Sequence, residues 1–339
     1  MLVRSKILVA IAVFAVALSC SREKTESGET YLEVPRHFPS VPFPEDNAYS
    51  DIRFELGKKL FFDPMLSIDS TISCGSCHKA EFAMADAFAI SPGVEGRLGH
   101  RNAPSLLNVA YQPYFMTEGG LPTLEMQVLA PVQEHTEMDF NIVLIAERMK
   151  TSNSYVEMSQ EAYGREPDPF VITRALANYE RTFISGSSRY DTYQFYGNSG
   201  ALSPSEKRGL SLFRSEKTQC SVCHSGLFFT SYEFENNGLD SVYSDIGRMR
   251  LTGDSADEAL FKIPSLRNVE YSAPYMHDGR FATLEEVVEH YNSGGANHPH
   301  KSERVRPLNL TQQERIDLVA FLKSLSDPSV QMDERYRVK

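Results

Sequence analysis

Two copies of one short pattern constrain this chain more than any other feature: "SCGSCH" at 73–78 and "QCSVCH" at 219–224. Each copy sets two thiols with two residues between them and an imidazole directly behind the second. Disulfides, half of a zinc site, a redox dithiol and a haem attachment point all use part of this arrangement. Disulfides within each pair are compatible with an exported protein. A four-cysteine zinc site usually draws its pairs closer in sequence than Cys74–Cys77 and Cys220–Cys223 lie. A thioredoxin-like motif wants a βαβ context, which neither copy has. Only covalent c-type haem uses the fifth residue: the cysteines form thioethers to the vinyl groups, and His78 or His224 becomes the proximal iron ligand. The chain has five cysteines, the fifth being Cys20. Two covalently bound haems c account for both copies and all four paired thiols.

Cys20 belongs to a different feature. "MLVRSK" is basic, "ILVAIAVFAVALS" at 7–19 is apolar, and a polar run follows. The apolar run is short for a membrane span and reads as a signal peptide. Small residues before Cys20 resemble a lipoprotein signal, which would make Cys20 the lipid-bearing first residue; cleavage after Ala17 is the alternative. Either way the protein is expected to be exported, and a lipid on Cys20 is its expected tie to the membrane. At 339 residues the remainder is long enough for two domains. A formal charge of −11 argues against nucleic acid as partner and suits a basic protein.

The surroundings of the two copies repeat as well. "LGKKLFF" precedes the first and "RGLSLF" the second, while "APSLLNVAYQPYFMTEGGLPTLEMQV" at 103–128 parallels "IPSLRNVEYSAPYMHDGRFATLEEVV" at 263–288. Pro104 pairs with Pro264, Asn108 with Asn268, and Leu124-Glu125 with Leu284-Glu285. One haem module is thus used twice. Local signals are helical: Ser203-Pro204-Ser205-Glu206, Thr283 to Glu286 and Thr311 to Glu314 are capping boxes. The last opens an amphipathic helix expected to bury Ile316, Val319, Ala320 and Leu322 or Lys323. Residues 137–184 read as two helices separated by Gly164 and Pro167–Pro169. The expected fold is mainly α, two c-type cytochrome-like helical domains related by internal duplication, each with one covalent haem. The expected division is a signal peptide (1–19), a polar tether (20–35), a first haem domain (36–196) and a second (197–339).

Both haem motifs, "RNAPSLLN", "LEMQVLAPVQEHTEM", "FKIPSLRNVEYSAPYMHDGRFATLEE" and "HYNSGG" together resemble the bacterial di-haem cytochrome c peroxidases, in particular their MauG-like branch. The likeness runs from about Leu56 to Leu325. It implies that the first haem meets hydrogen peroxide, with Glu137 of an "EM" pair as the proton-shifting group, Gln127 upstream of it and Pro131 packed near the iron. Taken alone, Glu137 also reads as a solvated carboxylate. Many relatives block this iron with a histidine; here that place is Val94, which cannot ligate, and His100 nearby reads as a surface-loop residue. The far ligand of the second haem would be Tyr291, the MauG-like choice, where typical peroxidases have methionine; Met276 falls outside that place. Tyrosine simply packed beside the haem is the alternative. A phenolate is a hard, anionic donor that lowers a haem's potential. A calcium ion between the domains is implied at Asn102, Ser272 and Pro274, although Asn102 also suits a turn cap. His277 is a plausible donor to a haem propionate.

One departure stands out. The chain has no tryptophan, whereas the family places one between the haems; Thr117 occupies that position, with Tyr114, Phe115 and Met116 adjacent. The resemblance implies a peroxidase drawing electrons from a cytochrome c or copper protein. Its alternatives are a MauG-like enzyme oxidising side chains of a partner protein and a non-catalytic di-haem electron carrier. The sequence leaves a homodimer open.

Overall fold

A computed structural model describes residues 31–337; the expected signal peptide and Cys20 lie outside the described residues. The first lobe begins with α1 (Asp51–Phe62), followed by the single-turn helix α2 (Cys74–Cys77), the short α3 (Leu124–Gln127) and α4 (Leu129–Gln133), then α5 (Ile142–Lys150), α6 (Asn153–Tyr163) and α7 (Pro169–Glu180). Next come α8 (Arg189–Phe195) and the second lobe: α9 (Pro204–Phe213), the single turn α10 (Cys220–Cys223), α11 (Met249–Thr252), α12 (Leu284–Ser293), α13 (Gln312–Lys323) and α14 (Ser329–Met332). Its only sheet among the described residues pairs β1 (Phe234–Glu235) with β2 (Phe261–Lys262), antiparallel. No helix among the described residues is long and apolar enough to cross a membrane.

The helix starts follow from capping chemistry. Ser203, Thr283 and Thr311 accept from the backbone amides of Glu206, Glu286 and Glu314, whose carboxylates return the bond. Asp168 caps α7 with Pro169 at its first turn. The 137–184 segment holds three helices rather than two, because α5 stops at Lys150 and α6 restarts at Asn153. The backbone amides of Thr151 and Ser152 turn back onto Arg148 and Met149, and that tight turn carries neither glycine nor proline to announce it.

Each lobe is built on one helix crossing. In the first, α1 packs on α7; in the second, α9 packs on α13. Both crossings need glycine. A Cβ on Gly57 would lie 2.0 Å from the Ala175 carbonyl oxygen, and one on Gly209 would lie 1.9 Å from that of Asp317. Gly57 and Gly209 are the shared glycines of "LGKKLFF" and "RGLSLF". The second crossing sets which face of α13 is buried: Leu318, Val319, Phe321 and Leu322 are in the core, while Ile316 is 52% exposed. Ile316 therefore corrects the expected face, because contact with the backbone at Gly209 rotates Asp317 and Phe321 inward.

The duplication persists in the backbone. Asn108 and Asn268 take φ of 58° and 60°, and Met116 and Met276 take 68° and 76°. Each asparagine amide docks on the end of its lobe's last core helix, Asn108 on the Phe183 carbonyl at 2.7 Å and Asn268 on that of Leu325 at 3.2 Å. The two asparagines then meet at Ser185: Asn108 Nδ2 donates to its carbonyl at 2.9 Å and Asn268 Nδ2 to its hydroxyl at 2.7 Å. Two segments cross between cores. Tyr190 packs with the second-lobe cluster, and Val330 and Tyr336 return to the first. Within the expected tether, Tyr31 already stacks on Phe54 with ring centroids 4.3 Å apart.

Candidate active site

Each Cys-x-x-Cys pair spans one helical turn with the histidine as its C-cap. His78 Nδ1 lies 2.9 Å from the Met84 carbonyl. His224 Nδ1 lies 3.2 Å from both the Phe229 and Pro264 carbonyls. A carbonyl only accepts, so Nδ1 carries the proton and Nε2 keeps its lone pair free for iron. Burial keeps both rings neutral, pushing His78 below its ordinary pKa and His224 down to about 4. None of these four cysteines forms a disulfide. Among the described residues no group of three or more His, Cys, Asp or Glu side chains is arranged around a metal, so the two cysteine pairs do not converge into a zinc site. Two thiols on one turn, followed by an imidazole whose Nδ1 is already committed, fit covalent haem at both places.

Glu137 lies beside the first of these turns, where its charge acts on both Cys74 and Cys77. It is exposed to solvent, although neighbouring protein desolvates its carboxylate. Desolvation and then Glu134 raise its pKa. The loop carrying it is folded back on α4: Glu137 N–H donates to the Glu134 carbonyl at 2.9 Å and Met138 N–H to that of Pro131 at 3.2 Å. Val94, wholly buried, donates its amide to the Glu137 carbonyl at 2.9 Å. Gly93 allows that approach, since a Cβ there would lie 2.1 Å from the Thr136 carbonyl oxygen. Arg97 clasps the same loop, donating to Asp139 Oδ2 at 2.8 Å and to the Val94 carbonyl at 3.3 Å. Gln127 ends α3, half-buried, and His100 is exposed.

At the second turn, Tyr291 near the end of α12 packs in the same cluster as Cys220. Burial pushes its phenol up to about 12, with the Asn237 amide pulling the other way through a hydrogen bond and the Cys220 and Cys223 charges adding to the rise. A phenolate here therefore needs a Lewis acid as partner. Met276 Sδ accepts from Asn237 Nδ2 at 3.2 Å. Asn237 was invisible in the sequence reading, because its contacts come from two distant segments.

Between the lobes, Phe115 is buried with Val109, Leu124 and Ala177, and Met116 is 38% exposed. Tyr114 alone of the three crosses: its ring stacks on Phe234, 5.4 Å between centroids at 17°, and its hydroxyl donates to the Tyr232 carbonyl. Ser231 N–H in turn donates to the Cys223 carbonyl at 2.8 Å. Thr117 contributes its carbonyl to the Lys262 amide at 2.9 Å. Asn102 joins the loop that carries Ser272 and Pro274, its amide donating to the His277 carbonyl at 2.8 Å and its side chain to the Phe88 and Ala89 carbonyls. His277 stacks on Phe261 at 4.2 Å. Glu180, not singled out by any sequence signal, is 5% exposed with Oε2 unpartnered, and burial raises its pKa to about 8. A surface cleft of about 430 Å3 bordered by Met126, Leu129, Ile142 and Phe170 involves none of these groups.

Comparison with known proteins agrees with this geometry. A family model described as di-haem cytochrome c peroxidase matches residues 51–199, and one described as cytochrome c matches 207–326. The methylamine utilization protein MauG of Methylorubrum extorquens is 36% identical over 291 residues, 84% of this chain and 81% of that protein. The cytochrome-c peroxidase IdrP1 of Pseudomonas sp. strain SCT is 32% identical over 349 residues, 93% of this chain and 90% of that one. A crystal structure of a MauG-like protein associated with microbial copper homeostasis matches with a TM-score of 0.84 at 33% identity, covering 90% of this chain and 98% of its own.

Proposed function

The chain belongs to the family of di-haem cytochrome c peroxidases and MauG-like proteins, and from that premise we propose that it reduces hydrogen peroxide to water with two electrons from a small redox protein. The observation that carries this reading is Glu137, an accessible carboxylate fixed by its own backbone to Val94 beside the His78 turn. A haem bound through His78 would supply the iron that takes up peroxide and accepts its oxidising equivalents. Glu137 takes the proton from the near peroxide oxygen and returns it to the far one, so that the departing oxygen leaves as water. The family resemblance assigns Gln127, at the end of α3, and Pro131, within α4, to the same space. Val94 is fully buried and has no donor atom with which it could ligate an iron. His224 and Tyr291 would hold the second haem, which would receive electrons from the donor, and Tyr114, whose ring stacks on Phe234, would bridge the lobes in place of the family's tryptophan.

The net charge of −11 favours a basic donor, a cytochrome c or a copper protein. Export, with Cys20 as a lipid anchor, rests on the N-terminal sequence. Calcium at Asn102, Ser272 and Pro274 would brace the junction where Asn102 meets the 272–277 loop.

Tyr291 beside Cys220 supports a second reading, in which the same equivalents oxidise side chains of a partner protein, as befits a relative of MauG. Peroxide-driven oxidation of reduced cytochrome c, measured beside covalent change in candidate partner proteins, separates the two. Rapid donor oxidation with partners unmodified supports the peroxidase; modified partners with sluggish donor oxidation support the other.

A further inference from the structure

Glu137 lies in the stretch between α4, which ends at Gln133, and α5, which begins at Ile142. Beside it is the tight turn 93–97, closed by Gly93 N–H on the Arg97 carbonyl at 2.8 Å and Arg97 N–H on the Val94 carbonyl at 3.1 Å. The main-chain bond from Val94 to the Glu137 carbonyl joins the two segments. Arg97 adds a side-chain span across the same gap. Its Nη1 donates to the His135 carbonyl at 2.6 Å and to Asp139 Oδ2 at 2.8 Å, with the His135 ring packed against it. Its Nε returns to the Val94 carbonyl at 3.3 Å, and its Nη2 lies 3.4 Å from Glu95 Oε2. The guanidinium therefore grips the second segment two residues before Glu137 and two residues after it. Its side chain is 21% exposed, so most of this span is shielded from water.

We propose that Arg97 is a positioning residue for Glu137, pinning the loop on both sides of it so that the carboxylate keeps one placement. The inference rests on the reading of Glu137 as the proton-transfer group. Main-chain bonds to Pro131, Val132 and Glu134 shape the loop on its own stem, and one from Ile68 reaches Met138. Arg97 adds holds at 135 and 139 to the Val94 bond, and so fixes the loop against the 93–97 turn as well. Glu137 is itself exposed, so side-chain packing does not set its position and the backbone has to. A planar guanidinium with five N–H donors suits this task, because it can engage a carbonyl, a carboxylate and its own turn at once; a lysine ammonium is one point on a flexible stem. Such a hold matters for rate: a displacement of about 1 Å at a reacting group costs on the order of a hundredfold.

The test uses the full-length protein with both haems attached and hydrogen peroxide as substrate. Arg97→Gln should lower kcat/KM for peroxide by about ten- to a hundredfold, while the ferric first haem keeps its high-spin signal. In the Glu137→Gln background the same substitution should cost less than about twofold, because a residue that acts through Glu137 then has nothing left to place. An unchanged kcat/KM in Arg97→Gln would overturn the proposal, as would an equal loss in both backgrounds or a first haem turned low-spin. Arg97→Lys, which keeps the charge without the fork, is read in the same way and serves if the glutamine variant fails to hold its haem. Glu137→Gln alone reports on the underlying reading: if it leaves turnover intact, Glu137 is not the proton-transfer group, whatever Arg97 does.

Discussion

Val94 N–H donates to the carbonyl of Glu137 at 2.9 Å. The position that the family resemblance assigns to an iron-blocking histidine is thereby bonded, through main chain, to the residue proposed for the proton transfer. Arg97 closes a second link across the same gap, from Asp139 to the Val94 carbonyl. In this chain the two segments form one unit, and the residue at 94 is a buried aliphatic side chain without a donor atom.

That relationship predicts the effect of Val94→His. An imidazole presented from this buried site should cap the first iron, turning its ferric high-spin spectrum low-spin and suppressing peroxide turnover until the protein is reduced. An unaltered spin state would mean that the side chain at 94 does not face the metal.

Glu137→Gln should leave both haems attached and cut peroxide turnover by about two to four decades, the scale of a lost proton-transfer group. The parent should show a pH dependence of matching origin. Glu137 acts as a base first, so its carboxylate is the competent form, and burial together with Glu134 raises its pKa above the ordinary 4.5. As pH falls through that raised value, kcat/KM for peroxide should fall with it, and the glutamine variant should lack this acid limb. A limb of the same shape in the variant would assign it to another group.

Glu180 gives a stability prediction. Its carboxyl is 5% exposed and its pKa is pushed up to about 8 by burial. A raised pKa in the folded state means that stability is fully present below the unfolded value and declines as pH rises toward about 8, because the unfolded chain releases the proton first. Glu180→Gln should flatten that decline, so its advantage in Tm over the parent grows from pH 5 to pH 9. A constant difference across the range would show that the carboxyl is ionised throughout.

Tyr114 is the one aromatic of the 114–116 segment that reaches the second lobe. If its ring carries electronic coupling between the haems, Tyr114→Phe should retain most donor-driven turnover, since the stack on Phe234 survives. Tyr114→Leu should lose at least about tenfold, equivalent to ~1.4 kcal/mol in barrier. Equal rates for the two would move the route elsewhere.

How much of this was legible in the chain itself varies with the range of the interactions involved. Ser203, Thr283 and Thr311 announced their helices because a capping box is closed within four residues. The duplication was legible in "LGKKLFF" and "RGLSLF", and the glycine common to both proved to be the contact point of each lobe's helix crossing. The burial of Leu318 and Phe321 in place of Ile316 was not legible, because the face of α13 is set by its approach to Gly209 on another helix. The break between α5 and α6 was missed because Thr151 and Ser152 carry no breaker residue. Asn237 and Arg97 were missed because their partners are remote in sequence, and Glu180 because its burial is a product of tertiary packing.

Peroxide reduction by this chain requires that an iron bound through His78 keep one face free within reach of Glu137. The most direct measurement is the electron paramagnetic resonance spectrum of the ferric protein as isolated, before and after cyanide. One high-spin and one low-spin haem are expected, with the high-spin signal alone converted by cyanide. Two low-spin haems indifferent to cyanide would contradict this, since both irons would then be closed by protein side chains.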